Sequence, residues 1–295
     1  MVYEKWLTKN TESLKGKTVA VTGTTGGLGR ELCRFVASLG ARLILMDRNR
    51  SRSEAFRDEL INDYGCDVTC INIDLEDIES VKIATEELKA QAVDVFIHNA
   101  GAYSIPRKTC ATGFDNVFQI NFVSPYYIIR ELLPALRKRC GRVVIVGSIA
   151  HNYSKIDVRD VDFATRGRAS KVYGNAKRYL MFSLYELFRD EEAVTLSVTH
   201  PGISFTNITS HYPKVIFAII KHPMKVIFMK PKKACLSILK GVFLDTGYHE
   251  WIGPRVFDVW GLPKKKRLKT CEVKESREIG SIAEKIYNEI KEIQI

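Results

Sequence analysis

The alternation of short β-branched runs with segments of helical periodicity constrains the fold of this chain more than any other feature. Runs with the composition of buried strands lie at residues 17–22, 42–46, 68–73, 93–98, 142–147 and 194–199. Segments of helical spacing lie between them at residues 28–39, 53–62, 78–91, 125–139 and 172–190. Because parallel strands need a long connection, usually a helix, this order predicts an α/β fold: a doubly wound parallel sheet with helices on both faces.

Size and composition favour one intracellular domain. A chain of 295 residues with 45% apolar residues can bury a complete core as a single domain, 1–295. Its seven cysteines are scattered without the paired spacing of a zinc site, so we expect reduced thiols and no metal site. Residues 1–14 contain no apolar run typical of a signal peptide or a spanning helix, and we therefore expect a cytoplasmic protein.

The net charge of +11 is concentrated in two segments. Residues 193–244 contain seven lysines and no acidic residue, and residues 264–269 contain five further basic residues. The remainder of the chain is close to neutral. The first half therefore has no extended basic surface, which argues against a nucleic-acid partner.

A glycine-rich turn, Thr22-Gly-Thr-Thr-Gly-Gly-Leu-Gly29, joins the first predicted strand to the first predicted helix. Glycines let the backbone approach a pyrophosphate, and the amino terminus of the following helix favours its negative charge. Alone, such a turn is weak evidence, because it can also be an ordinary structural loop. Asp47, however, stands at the end of the second strand, where dinucleotide-binding folds contact a ribose, so the turn predicts a dinucleotide site.

Tyr173 and Lys177 are four residues apart in a helical segment and therefore share one face of the helix. A neighbouring ammonium group favours tyrosinate, so we expect a lowered pKa for Tyr173 and proton exchange with a substrate oxygen. Considered alone, such a pair more often belongs to a solvated helix face. The catalytic interpretation depends on its agreement with the other motifs.

Several motifs, in this order along the chain, resemble those of the short-chain dehydrogenase/reductase family. The turn matches Thr-Gly-x-x-x-Gly-x-Gly, and His98-Asn-Ala-Gly101 is similar to the family's Asn-Asn-Ala-Gly, with histidine in the first position. Asp74-Leu75, Pro201-Gly202 and Thr206 resemble the stretches that contact adenine and nicotinamide. The resemblance covers residues 16–206 and implies a Rossmann fold and an NAD(P)-dependent oxidoreductase acting on CH–OH groups.

The resemblance also implies roles for individual residues. The implied catalytic set comprises the general acid/base Tyr173, Ser148 at the same substrate oxygen, Lys177 at the nicotinamide ribose, and Asn121 at a relay water. The implied cofactor contacts are Gly23, Thr25, Gly27, Leu28, Gly29, Asp47, Arg48, Asp74, Leu75, Asn99, Ala100, Gly101, Tyr173, Lys177, Pro201, Gly202 and Thr206.

Three segments extend this comparison. Tyr173 follows Ser148 by 25 residues, and Ser148-Ile-Ala-His151 resembles the start of an added segment in retinol-dehydrogenase-like and WW-domain-oxidoreductase-like members. Residues 207–245 occupy the place of the family's substrate lid, which implies a lipophilic alcohol or carbonyl substrate. Residues 264–295 are interpreted as a basic tail with a terminal helix. Family members commonly form homodimers or homotetramers through the helices around Asn121 and Tyr173.

Several alternatives remain open. Asp47 would accept hydrogen bonds from a ribose diol, which favours NAD(H), whereas Arg48 and Arg50 could grip the 2′-phosphate of NADP(H). The lysine-rich residues 212–244 either form lid helices or contact an anionic membrane surface peripherally. The turn also fits the Gly-x-x-Gly-x-x-Gly spacing of nucleotide-sugar epimerases, and the fold could act as a cofactor-sensing or interaction module without turnover.

Overall fold

All strands that the structure describes belong to one sheet. The computed structural model describes residues 2–202 and 229–293. The strands are β1 Thr18–Thr22, β2 Arg42–Asp47, β3 Val68–Asn72, β4 Val95–His98, β5 Arg142–Val146, β6 Thr195–Thr199, β7 Glu250–Val256 and β8 Trp260–Arg267. Their order is β3-β2-β1-β4-β5-β6-β7-β8, with β8 antiparallel to β7 and the other pairs parallel. The predicted doubly wound parallel sheet is confirmed.

Helices cover both faces of this sheet. They are α1 Val2–Asn10, α2 Gly27–Ser38, α3 Arg50–Tyr64, α4 Ile78–Lys89, α5 Asn116–Phe118, α6 Ser124–Arg137, α7 Ala169–Leu187, α8 Pro231–Ala234, α9 Leu236–Phe243 and α10 Val273–Glu292. A π turn, Gln119–Val123, joins α5 to α6, and a 3₁₀ turn, Ile149–Tyr153, follows β5. One core lies between the sheet and α1, α2, α3 and α9, and the other between the sheet and α4, α6, α7 and α10.

The β1 sequence shows why the strands are continuous apolar runs. Val19 and Val21 belong to the core on one face of the sheet, and Ala20 belongs to the core on the other. Successive side chains of a strand point to opposite faces, so a strand covered on both faces has no polar position in its centre. Local signals then set the helix ends. Asn49 accepts a hydrogen bond from the backbone amide of Arg52 at the start of α3, and Gly65 ends that helix with φ 62°.

The strand order reverses beside β1, and this reversal positions the site. Thr22 is in register with Met46 on β2 and with His98 on β4, so the carboxyl ends of these strands lie side by side. In open α/β sheets, ligands bind in the crevice beyond the carboxyl ends of the strands at such a switch point.

The carboxyl-terminal part differs most from the sequence-based interpretation. Lys264 to Arg267, interpreted as part of a basic tail, lie in β8. Within the predicted lid, α9 packs beneath the sheet with Leu236, Ile238 and Leu239 fully buried. Residues 203–228, which include Thr206 and most of the predicted lid and membrane contact, lie outside the described residues. Over residues 2–202 and 229–293, we find no helix with the length and apolarity needed to cross a bilayer.

Candidate active site

The glycine-rich turn leaves the amino terminus of α2 open to an anion. Gly26 is the N-cap residue of α2 and has no side chain to accept hydrogen bonds from the first turn, which contains no acidic residue. The first amide groups of a helix need partners from outside it, and the helix dipole favours a negative charge there. The amino terminus of α2 therefore fits the pyrophosphate of a dinucleotide.

A cavity of about 400 Å³ lies beyond this turn and the ends of β1, β2 and β4. Its lining includes Gly23, Thr25, Gly27, Leu28, Gly29, Asp47, Arg48, Asp74, Leu75, Asn99, Ala100 and Gly101, all residues that the sequence singled out for cofactor contact. Apolar walls are added by Met46, Ile73 and Ile120. Size, backbone amides and apolar walls together fit a dinucleotide.

Asp47 is held more tightly than the sequence suggested. Its carboxylate accepts hydrogen bonds from the Thr24 hydroxyl, from the Thr25 amide and hydroxyl at 3.1 Å each, and from the Ser53 hydroxyl at 3.2 Å. A carboxylate offers about four lone-pair positions, and these donors fill them. Asp47 therefore stabilises the glycine-rich turn, and a ribose diol would compete with Thr25 for it.

A threonine hydroxyl ties the first strand to the fourth. The Thr22 hydroxyl oxygen accepts hydrogen bonds from the amides of Asn99 and Ala100 at 3.1 Å, and lies 3.1 Å from Nδ1 of His98. With two donors already on that oxygen, its own proton points to Nδ1 of His98. Burial, followed by the charge of Lys177, keeps the pKa of His98 well below its usual value, so this histidine stays neutral.

Asn121 lies in the π turn between α5 and α6 and is fully buried. Its side-chain amide donates to the carbonyl oxygens of Ala102 and Val117 at 2.8 Å each, and its Oδ1 accepts from the Ala102 amide at 3.3 Å. A Cβ on Gly101 would come within 2.8 Å of that Oδ1. The asparagine is therefore fixed against the backbone that lines the cavity. Single π turns inside helices occur often at functional sites.

Ser148 and Tyr173 meet at the carboxyl end of β5. The Tyr173 side chain shares a hydrogen bond with Ser148, and this bond lowers the pKa of the phenol. Burial is the larger effect and raises that pKa to about 12. The lowered pKa that we predicted for Tyr173 is therefore wrong for this structure, because removal from water outweighs the favourable contacts of the tyrosinate form. At neutral pH the phenol is a proton donor.

Lys177 lies on the same face of α7 as Tyr173, as its spacing predicted. Its ammonium nitrogen lies 5.7 Å from the centre of the Tyr173 ring and donates to the Val146 carbonyl oxygen at 2.9 Å. The same nitrogen lies 3.6 Å from the position of a Cβ on Gly101, so it packs behind a residue of the cavity lining. The residue is 2% exposed, and burial lowers the pKa of its amine to about 7.

The burial of Lys177 predicts a pH-dependent stability. The amine has a pKa of about 7 in the folded chain and a usual value of 10.5, so between these values the unfolded chain binds more protons. Stability should therefore rise with pH from about 7 to about 10. Lys177→Met should weaken this rise by up to a few kcal/mol, measured by urea unfolding at several pH values. Lys171→Met, an exposed lysine of the same helix, is the control. Equal slopes for the unmutated protein and Lys177→Met would contradict the assignment.

The structure describes two of the three positions that were predicted to contact the nicotinamide. Gly202 has φ 75°, and its amide donates to Nδ1 of His200 at 3.2 Å. Pro201 is partly buried beside it. Thr206 lies outside the described residues.

The sequence also missed His151, to which it gave no role. His151 is fully buried, with Nδ1 at 2.6 Å from the Ser148 carbonyl oxygen and Nε2 at 2.7 Å from the Thr270 hydroxyl, so it fixes the turn that carries Ser148.

Comparison with known proteins agrees with this geometry. Residues 17–159 match the family model for the short chain dehydrogenase. Retinol dehydrogenase 14 of Mus musculus is 29% identical over 255 residues, which are 78% of this chain and 76% of that protein. Retinol dehydrogenase 13 of Homo sapiens is 30% identical over 212 residues, which are 68% of this chain and 62% of that protein. The match thus spans less than two thirds of the human relative.

These matches support the assignment of the chain to the short-chain dehydrogenase/reductase family. The predicted likeness to its retinol-dehydrogenase-like members is confirmed by these relatives. An alcohol dehydrogenase from the archaeon Thermococcus sibiricus, solved in complex with 5-hydroxy-NADP, has the same fold, with a TM-score of 0.61 and 20% identity over 87% of this chain and 99% of that one. This chain therefore has the fold of the family.

Proposed function

We propose that this chain is an NAD(P)-dependent oxidoreductase that interconverts an alcohol and a carbonyl, with Tyr173 as the general acid/base. The observation that carries the proposal is the position of Tyr173. Its phenol shares a hydrogen bond with Ser148 and lies beside Lys177, whose amine packs behind Gly101 of the cavity lining. A proton donor, a second hydrogen-bonding group and a dinucleotide cradle at one place are what carbonyl reduction requires.

Each of the described side chains has a separate role in carbonyl reduction. A bound nicotinamide would supply or accept the hydride. Tyr173, neutral at pH 7, donates its proton to the carbonyl oxygen, and Ser148 hydrogen-bonds the same oxygen. Lys177 and Asn121 lie against Gly101 of the cavity lining, where Lys177 would hold the ribose and Asn121 would complete a proton path. In the direction of alcohol oxidation, the same phenol accepts the proton.

A cofactor and substrate screen tests this function. Purified protein is assayed at 340 nm with NADH and NADPH against a panel of ketones and aldehydes, including apolar ring ketones and retinoid aldehydes. We expect turnover with at least one lipophilic carbonyl, because the relatives are retinol dehydrogenases. Binding of NADH detected by fluorescence, with no reduction of any carbonyl, would support a cofactor-sensing module instead. Turnover of a nucleotide sugar alone would support the epimerase alternative.

The cofactor preference follows from two opposing features of the adenosine end. Asp47 contributes a negative charge that disfavours a 2′-phosphate, so NAD(H) is the proposed preferred cofactor. Its oxygens are already engaged by the turn, and two arginines, Arg48 and Arg52, line the cavity. The preference is therefore small, and NADP(H) is also used. Arg50, which the sequence suggested for phosphate binding, is instead paired with Glu54 at 2.9 Å, and Arg52 takes its place.

Arg52→Ala should lower kcat/KM for NADPH by about tenfold and leave that for NADH within about twofold, because one charge-assisted contact to phosphate is lost. Steady-state kinetics with both cofactors measure the effect. Arg50→Ala is the matched control and should change neither value. An equal loss for both cofactors would place Arg52 outside the phosphate site, and a higher kcat/KM for NADPH than NADH in the unmutated protein would overturn the NAD(H) preference.

Assembly and location form the rest of the proposal. A cytoplasmic chain that contacts a membrane peripherally through residues of the 212–244 segment other than the buried helix α9 accords with a lipophilic substrate. The homodimer or homotetramer suggested by the family would pair through the helices around Asn121 and Tyr173. In this chain α10 packs along α7 with Ile279, Ala283 and Ile286 buried. A dimer through that face therefore needs to include α10 in the interface.

A further inference from the structure

The added segment between Ser148 and Tyr173 packs directly behind the catalytic tyrosine. Phe163 is 4% exposed and clusters with Val117 of α5 and Val172 of α7, and Ile105 and Tyr173 pack against this cluster. The segment is also bonded to α7, where the side-chain amide of Asn175 donates to the Val161 carbonyl oxygen at 2.7 Å. The position of Tyr173 is thus supported from outside the cavity by the added segment.

One arginine holds this segment in place. Arg107 donates to the carbonyl oxygens of Arg166 at 2.6 Å, Phe163 at 3.0 Å and Ala164 at 3.4 Å. Its Nε donates to the Asp115 carboxylate at 2.5 Å. A planar guanidinium group can serve four acceptors in this way, whereas an ammonium group cannot reach them together.

Asp115, the carboxylate partner of Arg107, also connects to Asn121. Asp115 is 5% exposed and caps α5, accepting from the Val117 amide at 2.9 Å, and its own amide donates to Asp162 of the added segment at 2.7 Å. Asn121 in turn donates to the Val117 carbonyl oxygen at 2.8 Å. Arg107 therefore links two parts of the chain: the start of α5, which fixes Asn121, and the added segment, which supports Tyr173.

Backbone conformation adds an independent indication. Phe163 has φ 57°, a left-handed conformation that is unfavourable for a bulky non-glycine residue. Such strain persists only where the surroundings impose it, and it occurs often near functional sites. The carbonyl group of this same residue is one of the acceptors of Arg107, and its ring is held by Val117 and Val172.

We propose that Arg107 is a positioning residue, which sets the geometry between Tyr173 and Asn121 by clamping residues 160–166 onto the start of α5. This inference rests on the proposed function for its kinetic consequences, but the clamp itself can be observed without turnover. A misplacement of about 1 Å at reacting groups costs about a hundredfold in rate, so the clamp should act on kcat.

The test compares Arg107→Ala, Arg107→Lys and Arg159→Ala, the last being an exposed arginine of the same segment. We expect Arg107→Ala to lower kcat by at least about tenfold, with NADH affinity within about twofold of the unmutated value. Guanidinium ion added at millimolar concentration should restore part of this kcat. The amide hydrogens of residues 115–121 and 154–168 should exchange faster in this variant. Arg107→Lys should be intermediate, and Arg159→Ala should resemble the unmutated protein.

Two results would overturn the clamp. The first is a kcat for Arg107→Ala within twofold of the unmutated value. The second is unchanged hydrogen exchange at residues 115–121 and 154–168, whatever the activity. If Arg107→Ala does not fold, a folded Arg107→Lys with unaltered kcat and exchange decides against the proposal. Faster exchange in a chain whose unmutated form turns over no carbonyl supports the clamp and contradicts the proposed function instead.

Discussion

Tyr173→Phe should lower kcat by about three orders of magnitude and leave the dissociation constant of NADH within about twofold, as expected for loss of a general acid. The substitution removes only the hydroxyl group that shares a hydrogen bond with Ser148. The ring keeps its edge-on contact with Tyr103, whose centre lies 5.3 Å away, so the pocket retains its shape. Steady-state kinetics and fluorescence titration with NADH measure the two quantities separately.

Helix α7 offers a matched control for this experiment. Tyr179 is fully buried on the same helix, and its hydroxyl has no hydrogen-bond partner among the residues that the structure describes. Removing a buried unpaired hydroxyl group relieves a desolvation cost, so Tyr179→Phe should retain full activity and equal or slightly higher stability. A Tyr173→Phe variant with more than a tenth of the original kcat, or a Tyr179→Phe variant that loses activity to the same extent, would remove Tyr173 from the mechanism.

The parallel part of the sheet could be predicted because its signals are local. A strand buried on both faces needs a continuous apolar run, and each crossover helix has its own periodicity. Short stretches of sequence therefore indicate where the first six strands and their helices lie along the chain. The same reasoning places Thr22, Asp47, Asn99 and Ser148 near the carboxyl ends of these strands, because parallel strands end at one edge of the sheet.

The β7–β8 pair could not be predicted in this way. Strand β8 contains Lys264 to Arg267, a run of charges that resembles a solvated tail. Two of its lysines form ion pairs only in the folded chain. Lys265 lies 3.2 Å from Glu250 on β7, and Lys266 pairs with Asp258 in the hairpin. As an edge strand, β8 tolerates charged side chains that a central strand would exclude. Such pairing depends on contacts distant in sequence.

Within the site, spacing predicted which groups meet but not their electrostatics. A separation of four residues was enough to place Lys177 beside Tyr173. It could not show that Lys177 is buried and Tyr173 partly buried, and this removal from water moves the pKa of Tyr173 up to about 12 and that of Lys177 down to about 7. The depth of burial is set by elements far away along the chain, among them α5 and the added segment. For the same reason, sequence alone could not show that Thr25 and Ser53 occupy the Asp47 carboxylate.

Gly29→Ala should be the most damaging single change in the glycine-rich turn. A Cβ at this position would lie 2.2 Å from the Gly23 carbonyl oxygen, 2.8 Å from the Thr24 Cα and 3.0 Å from the side-chain nitrogen of Asn99. Two of these atoms belong to the backbone, which cannot move without opening the turn. We expect a loss of about 3 kcal/mol in the free energy of unfolding, the upper range for overpacking a core, together with loss of NADH binding.

Gly27→Ala separates the cost of folding from the cost of binding. A Cβ on Gly27 would meet only the Pro231 side chain, at the ordinary contact distance of 3.7 Å, so urea unfolding should give the unmutated free energy. Gly27 nevertheless lines the cavity at the start of α2, where an added methyl group would occupy the approach of the pyrophosphate. NADH affinity should therefore fall by at least about tenfold at unchanged stability. If Gly27→Ala binds NADH as well as the unmutated protein, the pyrophosphate does not lie against this turn, and the cofactor position proposed for the chain is wrong.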